Sequence, residues 1–261
     1  MELKNITLIV ENQIGVITIN RADRFNALDI HTEMEIGSVV EELEQNDDVK
    51  GILITGAGDK AFSSGADIVP YLEMNIVKSV PYMKKLKEVL WKVETCRKPV
   101  VASVNGICLG GGFELALACH FRFASEKAVF GFPEIDVGVF PGNGGSQRLC
   151  RLIGKGKALW YVATGERIKA DEALAMGIVH KVVPHAQVLD TCKEFLTNTL
   201  FKKPPVALWA ATTSVMKGSE MDMDSACQLD VDLASICMGT QDFKEGVTAF
   251  VEKRKPTFKG V

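Results

Sequence analysis

Apolar residues in the first two-thirds of the chain form short runs that alternate with longer amphipathic segments. The short runs are rich in Val and Ile, whereas apolar residues in the longer segments recur at helical spacing. Strands are predicted within 6–20 (two, with a turn near Asn12 and Gly15), 49–56, 98–106 and 120–132. Helices are predicted within 27–45, 79–96 and 113–120. Apolar strands separated by helices favour a largely parallel sheet that is covered on both faces.

Helical periodicity dominates after about residue 145. The helical segments lie within 156–165, 169–177, 186–200, 204–216 and 227–238. We therefore predict the α/β fold class, with an α/β core over residues 1–200 and a helical C-terminal region over residues 201–261.

The composition is that of an ordinary globular protein, with 47% hydrophobic and 24% charged residues among 261. A formal net charge of −3 argues against a broad basic surface for nucleic acid or anionic lipid. The N-terminal residues lack a basic leader followed by an apolar block, and no apolar run has the length of a membrane span. We expect neither a nucleic-acid partner nor a membrane partner.

The seven cysteines show no CxxC spacing and fall mostly in apolar runs. This pattern is typical of buried, reduced thiols and predicts a reducing compartment, with the cytoplasm as the expected location. The four histidines have no metal-ligand spacing relative to the cysteines, so no metal site is expected.

The stretch "LGGGFELA" (109–116) places three consecutive glycines before a predicted helix that carries Glu114 among apolar residues. A helix start exposes unpaired backbone N–H groups, and glycine lets a ligand oxygen approach them closely. The stretch is consistent either with an anion-binding helix start or with a tight turn that simply requires glycine.

The stretch "AFSSGADI" (61–68) consists of small residues and follows the strand predicted at 49–56. The N–H of Ala66, directly after Gly65, is a candidate second donor, and two converging N–H groups form an oxyanion hole. An ordinary surface loop is the alternative interpretation of this stretch.

A second carboxylate, Glu134, lies in apolar company within "FGFPEIDVGVFPGNGGSQRL" (130–149). Two partly buried glutamates in one cleft have shifted pKa values and suit general acid–base chemistry. Alternatively, both carboxylates accept hydrogen bonds from N–H groups at helix starts. The glycine cluster at 141–145 lacks the GxGxxG spacing and the P-loop lysine, so a nucleotide site is not expected.

Several motifs together resemble the crotonase, or enoyl-CoA hydratase/isomerase, superfamily across essentially the whole chain. The motifs are "NRADRFNAL" (20–28), "AFSSGADI", "NGICLGGGFELALACH" (105–120), "FGFPEIDVGVFPGNGGSQRL", "MGIVHKVV" (176–183) and "EGVTAFVEKRKPTF" (245–258). The resemblance implies a core of repeated ββα units that holds a CoA-thioester site, and a helical C-terminal trimerisation region. It implies a homotrimer or a hexamer built as a dimer of trimers. It also implies no metal and no separate cofactor, because coenzyme A is part of the substrate.

The resemblance assigns catalytic roles to four residues. Ala66 and Gly111 supply the oxyanion-hole N–H groups, and Glu114 and Glu134 match the two glutamates that hold the added water in family hydratases. Gly142 stands where some family isomerases and dehalogenases carry an essential aspartate, which argues against those two activities.

The positions that match CoA-contacting residues of the family are Arg24, Ala66, Asp67, Ile68, Phe250 and Lys253. A solvated helix charge is the alternative interpretation of Lys253. Val69 replaces a lysine found in some relatives, so one phosphate contact is expected to be missing.

The acyl pocket is expected to include Phe132 beside Glu134, and Tyr71, Met74, Tyr82 and Met83 from a variable segment. The expected activity is hydration of a 2-enoyl-CoA to a 3-hydroxyacyl-CoA through a thioester enolate. The alternatives are an enoyl-CoA isomerase, a hydratase of an alicyclic acyl-CoA and, less in keeping with the intact glutamates, a non-catalytic or RNA-binding family member.

Overall fold

A computed structural model describes residues 3–260 of the chain. The chain divides into two compact units. The first unit holds the chain up to Cys96 and Val100–Lys193, and the second holds Arg97–Pro99 and the chain from Glu194 onward. The boundary at residue 200 between the α/β core and the helical C-terminal region stays a prediction.

Ten strands form two sheets in the described part of the first unit. They are β1 Ile6–Glu11, β2 Ile14–Ile19, β3 Gly51–Gly56, β4 Ala61–Ser63, β5 Val100–Val104, β6 Ile107–Leu109, β7 Phe121–Ser125, β8 Val129–Gly131, β9 Ile168–Lys169 and β10 Lys181–Val183. The larger sheet has the order β1-β2-β3-β5-β7-β10 and is parallel apart from the β1–β2 hairpin. The smaller sheet has the order β4-β6-β8-β9. The prediction of a largely parallel sheet is confirmed.

The helices follow the strands in a repeated pattern. They are α1 Ile30–Gln45, α2 Ile76–Glu94, α3 Gly111–Ala118, α4 Gly145–Ile153, α5 Lys155–Thr164, α6 Ala170–Ala175, α7 Val188–Asn198, α8 Pro205–Gly218, α9 Met223–Met238 and α10 Gln241–Val251. In each of the units β3-β4-α2, β5-β6-α3 and β7-β8-α4, the first strand joins the larger sheet and the second joins the smaller sheet. The expected ββα repeat is thus present.

Helix α1 shows how the sequence produces this packing. Asp29 caps the helix by accepting a hydrogen bond from the Thr32 N–H at 2.8 Å, and the buried face includes Ile36 and Leu43. Gly15 on β2 permits the close approach, because a Cβ atom there would lie 2.5 Å from Leu43 Cδ1. The helix is therefore fixed against the β1–β2 hairpin by shape as well as by apolar burial.

The chain after about residue 145 is less purely helical than its periodicity predicts. Strands β9 and β10 lie there, and they pair with β8 and β7 respectively. The prediction missed them because strands of two and three residues are too short to show a period. Helix α2 also begins earlier than expected, at Ile76, where Asn75 accepts hydrogen bonds from two N–H groups.

Helices α8, α9 and α10 make up most of the second unit, and α9 packs against both of the others. The C-terminal segment of the second unit is held by the Asp242 carboxylate, which accepts hydrogen bonds from the N–H groups of Lys259 and Gly260 at 2.7 and 2.8 Å. Several large apolar side chains of this unit are exposed. They are Val215, Val231, Ile236, Phe243, Val247, Phe250 and Val251.

All seven cysteines are free thiols, and Cys96, Cys108, Cys119 and Cys192 are buried. This agrees with the expectation for most of them, whereas Cys227 is exposed. Within residues 3–260, no helix combines the length and the apolarity that a membrane crossing requires.

Candidate active site

Three consecutive glycines connect β6 to α3, and each has a different reason to be glycine. Gly110 has a φ of +50°, which side chains with a Cβ atom rarely adopt. A Cβ atom on Gly112 would lie 2.6 Å from the Ser63 Cβ, so this glycine lets α3 pack against β4. A Cβ atom on Gly111 would meet only ordinary contacts, 3.6 Å from the Ala66 nitrogen and 3.9 Å from Leu28 Cδ1. Neither backbone conformation nor protein packing therefore requires glycine at Gly111.

The N–H of Ala66 faces away from its neighbouring chain segment. Leu28 forms a parallel bridge opposite Ala66, and its N–H and C=O bond to Gly65 and Asp67 at 2.8 and 2.7 Å. Ala66 lies between these two bonded residues, so its own N–H points away from Leu28. The Ala66 nitrogen lies close to the start of α3, because a Cβ atom on Gly111 would be 3.6 Å from it.

The structure thus brings together the two N–H groups of Ala66 and Gly111, as predicted for the oxyanion site. The Gly111 N–H is the first of α3 and has no partner inside the helix. Two adjacent donors of this kind, at the positive end of a helix, suit an oxygen that carries negative charge. Their role in catalysis stays a prediction.

Glu114 projects from the first turn of α3 and is buried, with 5% of its surface exposed. Its Oε1 accepts hydrogen bonds from the N–H groups of Asn143 and Gly145, both at 2.8 Å. The glycine cluster at 141–145 therefore holds this carboxylate. Burial raises the pKa of Glu114, although the two backbone N–H groups and the Arg148 charge act in the opposite direction.

Glu134 lies on a short 3₁₀ turn, Pro133–Val137, beside the glycine turn. A Cβ atom on Gly110 would be 3.0 Å from Glu134 Oε1. The Oε2 atom is buried and has no hydrogen-bond partner among residues 3–260. Burial, together with the negative charge of Glu114, raises the pKa of Glu134 to about 7. The described residues thus leave the hydrogen-bonding capacity of one Glu134 oxygen unused.

A third carboxyl group, Glu33 on α1, was missed by the sequence analysis. It is 5% exposed, and its Oε2 is buried with no hydrogen-bond partner in the described structure. Burial is the main cause that raises its pKa to about 8, followed by the charges of Glu114 and Asp29. One signal was available: Glu33 precedes the buried Ile36 and Val40 by three and seven residues, so it falls on the apolar face of α1.

Aromatic side chains surround these carboxyl groups. Phe132 is fully buried and stacks on Phe113 with ring centroids 4.8 Å apart. A Cβ atom on Gly145 would lie 2.7 Å from Phe132 Cε1 and 2.8 Å from Glu114 Cγ, which places Phe132 beside this glutamate. The rings of Tyr71 and Tyr82 meet edge to face at 5.6 Å.

Two methionines expected in the acyl pocket lie on the same segment as the tyrosines. Met83 approaches the 141–145 loop, since a Cβ atom on Gly142 would lie 3.2 Å from its Cε. Met74 is partly buried at the end of the 3₁₀ turn Val69–Glu73.

Among the positions expected to contact CoA, Arg24 and Asp67 lie together on the surface. The Arg24 Nη1 is 3.5 Å from Asp67 Oδ2, and Arg21 reaches the same oxygen at 3.5 Å. Arg24 and Ile68 are exposed and available to a ligand. Phe250, at 85% exposure, and Lys253 belong to the second unit, and their CoA contacts stay a prediction.

Residues 3–260 contain no group of three or more His, Cys, Asp or Glu side chains placed to hold a metal ion. The expectation that no metal or cofactor is required stays a prediction.

Paired amides at a helix start, with two carboxyl groups of raised pKa beside them, are an arrangement that suits acid–base chemistry next to a carbonyl oxygen. The chain matches the family described as Enoyl-CoA hydratase/isomerase over residues 10–261, and it belongs to that family.

Similar proteins agree with this membership. The chain is 41% identical to the short-chain-enoyl-CoA hydratase of Clostridium acetobutylicum, over 98% of this chain and 97% of that protein. It is 39% identical to the crotonyl-CoA hydratase of Syntrophomonas wolfei, over 99% of each chain. The crystal structure of enoyl-CoA hydratase from Bacillus anthracis aligns with a TM-score of 0.92 at 34% identity, covering 99% of this chain and 100% of that one.

Proposed function

We propose that this protein is an enoyl-CoA hydratase, a hydro-lyase that adds water across the 2,3 double bond of an enoyl-CoA thioester to give a 3-hydroxyacyl-CoA. The observation that carries the proposal is the position of two carboxyl groups, Glu114 and Glu134, beside the adjacent N–H groups of Ala66 and Gly111. Acid–base groups and a pair of oxyanion donors are what this addition requires.

Each of these four residues has a role in the proposed reaction. The water oxygen bonds to the β carbon while Glu114 takes a proton from the water. The electron pair of the double bond moves towards the thioester oxygen, and the Ala66 and Gly111 N–H groups stabilise the resulting enolate. Glu134 then delivers its proton to the α carbon, and the thioester carbonyl is restored. One proton leaves the water and one reaches carbon, so the overall charge is unchanged.

The CoA moiety is part of the substrate, and the protein needs no metal and no resident cofactor. Its binding is supported by the exposed Arg24 beside Asp67, and by Ile68 in the segment that carries the Ala66 N–H. Phe250 and Lys253 are further candidate contacts, as the family resemblance implies. The protein works in the cytoplasm, a location favoured by its free thiols, and short-chain fatty-acid oxidation is a fitting pathway.

The assembly is a homotrimer or a hexamer. The exposed apolar side chains of α8, α9 and α10 support it, because large apolar patches on a folded protein usually mark an interface. Light scattering at micromolar concentration tests this assembly, and a stable monomer would contradict it.

The function is tested by supplying crotonyl-CoA and a β,γ-enoyl-CoA separately and identifying the products. Formation of 3-hydroxybutyryl-CoA from crotonyl-CoA is expected. Isomerisation of the β,γ substrate with no hydration of crotonyl-CoA would identify an isomerase. Salt-dependent RNA binding without turnover of either thioester would indicate a non-catalytic family member.

A further inference from the structure

Two glutamates of α1 are almost equally buried but differ in the hydrogen bonds that the described residues supply to them. Glu35 is 6% exposed, and its two oxygens accept hydrogen bonds from the N–H groups of Lys4, Asn5 and Ile6 at 2.9, 2.9 and 3.2 Å. Glu33 is 5% exposed, yet its buried Oε2 has no partner in the part of the chain that the structure describes. Glu35 is therefore a structural carboxylate, whereas the fold leaves Glu33 unsatisfied. A buried polar group without a partner calls for a ligand or another functional explanation.

Burial favours the neutral form of the Glu33 carboxyl group. The titratable groups that interact electrostatically with Glu33 are Glu114 on α3, Asp29 at the start of its own helix, and the phenols of Tyr71 and Tyr82. Burial and the two negative charges hold its proton up to a pKa of about 8. A protonated carboxyl group has an O–H that can donate a hydrogen bond.

Tyr71 and Tyr82 add two hydroxyl groups near this carboxyl. Their rings are in edge-to-face contact, with centroids 5.6 Å apart. Burial is the main cause that raises the pKa of the Tyr71 phenol, and the Tyr82 phenol, Glu33 and Glu114 also interact with it electrostatically. We call Glu33, Tyr71 and Tyr82 the polar acyl subsite.

This subsite borders the place where the acyl group must lie. Glu114, whose charge acts on Glu33, is a reacting group in the proposed mechanism. Leu28, which leads directly into α1, is 3.9 Å from where a Gly111 Cβ atom would be. The residue that leads into α1 therefore lies close to the Gly111 N–H, on which the thioester oxygen is proposed to bind. A plain alkyl chain there would leave the Glu33 carboxyl unpaired, which opposes its binding.

We propose that the enzyme acts on an acyl-CoA whose acyl group carries a neutral oxygen function, a keto or hydroxyl group, on a carbon beyond the reacting double bond, and that Glu33, Tyr71 and Tyr82 bind this oxygen. The inference rests on the proposed function and specifies its substrate. A carboxylate on the acyl group is disfavoured, because the negative charges of Glu114 and Asp29 lie close by.

Binding of saturated thioesters tests the subsite without requiring turnover. Isothermal titration would compare hexanoyl-CoA with 5-oxohexanoyl-CoA and 6-hydroxyhexanoyl-CoA at pH 7. The wild-type protein is expected to bind at least one oxygenated ligand about tenfold more tightly than hexanoyl-CoA, since one well-formed hydrogen bond is worth about that factor. Equal affinity for all three ligands, within about twofold, would overturn the proposal.

Substitutions test whether the preference for oxygenated ligands depends on the polar acyl subsite. Glu33→Leu should abolish or reverse the preference, whereas Glu33→Gln should keep it for the keto ligand, because an amide still donates an N–H. The matched control is Glu42→Leu, the same change at an exposed position of the same helix, which should retain the wild-type preference. If Glu33→Leu does not fold, the double variant Tyr71→Phe with Tyr82→Phe is measured and should also reduce the preference.

A preference that survives in every folded subsite variant would overturn the proposal. Hydration of crotonyl-CoA by the same preparations separates this result from the proposed function. Absence of hydration together with an intact, Glu33-dependent preference would reject the hydratase and retain the subsite. Efficient hydration without any preference would reject the subsite and retain the hydratase.

Discussion

Glu114 and Glu134 lie beside the same glycine turn, but their oxygens have opposite surroundings. Glu114 Oε1 accepts two backbone N–H groups at 2.8 Å, whereas Glu134 Oε2 is buried and accepts no hydrogen bond from residues 3–260. Backbone donors favour the ionised form of a carboxyl group, and desolvation favours the neutral form. Burial raises the pKa of both groups, and the two backbone donors to Glu114 favour this residue as the base and Glu134 as the acid of the proposed hydration.

We predict that substitution with glutamine distinguishes the catalytic roles of Glu114 and Glu134. Each change removes the acid–base function while nearly preserving size, and each should lower kcat for crotonyl-CoA hydration by ~10²–10⁴-fold. Glu114→Gln should retain some exchange of the α protons of bound butyryl-CoA with D₂O, because Glu134 remains. Glu134→Gln should lose both hydration and exchange. Product analysis and proton NMR measure the two activities.

The exposed Glu126→Gln is the matched control for these variants and should behave as the wild type in both assays. Hydration that persists in folded Glu114→Gln would contradict the assigned roles. Exchange that survives in Glu134→Gln but vanishes in Glu114→Gln would reverse them.

We predict that Gly111→Ala folds normally and loses activity. The new methyl group has room in the protein, with its nearest neighbours at 3.6 and 3.9 Å, but it stands next to the Ala66 N–H where the thioester oxygen is proposed to bind. Loss of one oxyanion donor typically lowers kcat by ~10²–10³-fold. Circular dichroism and hydration kinetics measure folding and activity. Gly156→Ala, where a Cβ atom would meet nothing within 4 Å, is the control, and wild-type activity in folded Gly111→Ala would exclude the oxyanion role.

The periodicity of the sequence was sufficient to predict alternating strands and helices with a largely parallel sheet, whereas the family resemblance implied the ββα repeat and the pairing of Glu114 with Glu134. The sequence carried this information because strand-like apolar runs, helical spacing and the glycine motifs are local features. The partners of Glu114 could not be predicted, since Asn143 and Gly145 approach it only after α3 and α4 have packed together. The sequence analysis missed Glu33 because the groups that interact with it electrostatically are distant in the sequence and are brought near it only by the fold. These groups are Glu114, Tyr71 and Tyr82.

The pH dependence of turnover should follow the protonation of the Glu114–Glu134 pair. Hydration requires Glu134 protonated and Glu114 ionised, and dehydration requires the converse, so the pair carries one proton in both directions. Because the pKa of Glu134 is raised to about 7, kcat/KM for crotonyl-CoA should fall above about pH 7 as this proton is lost.

Dehydration of 3-hydroxybutyryl-CoA should show the same pH profile, because the overall reaction takes up no proton. The fall should persist in Glu33→Gln, which distinguishes Glu134 from the other carboxyl group that titrates nearby. A kcat/KM that stays constant from about pH 6 to about pH 9 would contradict a proton-donating Glu134.

Glu33 should make the stability of the protein depend on pH in a direction opposite to that of a paired carboxylate. Its pKa is raised from 4.5 in the unfolded chain to about 8 in the fold, so the folded state resists ionisation. Stability is therefore fully present below about pH 4.5 and is lost as the pH rises towards 8, by at most about 1.4 kcal/mol per pH unit. Glu33→Gln cannot ionise and should escape this loss.

The free energy of urea-induced unfolding, measured at pH 5 and pH 9 at one protein concentration, tests this prediction. The free energy of unfolding of Glu33→Gln minus that of the wild type should be at least ~1 kcal/mol larger at pH 9 than at pH 5. Glu42→Gln, at an exposed position of the same helix, should show no such gain. An equal difference between wild type and Glu33→Gln at both pH values would mean that Glu33 is ionised in the folded protein, and hence that it has no O–H to donate to a substrate.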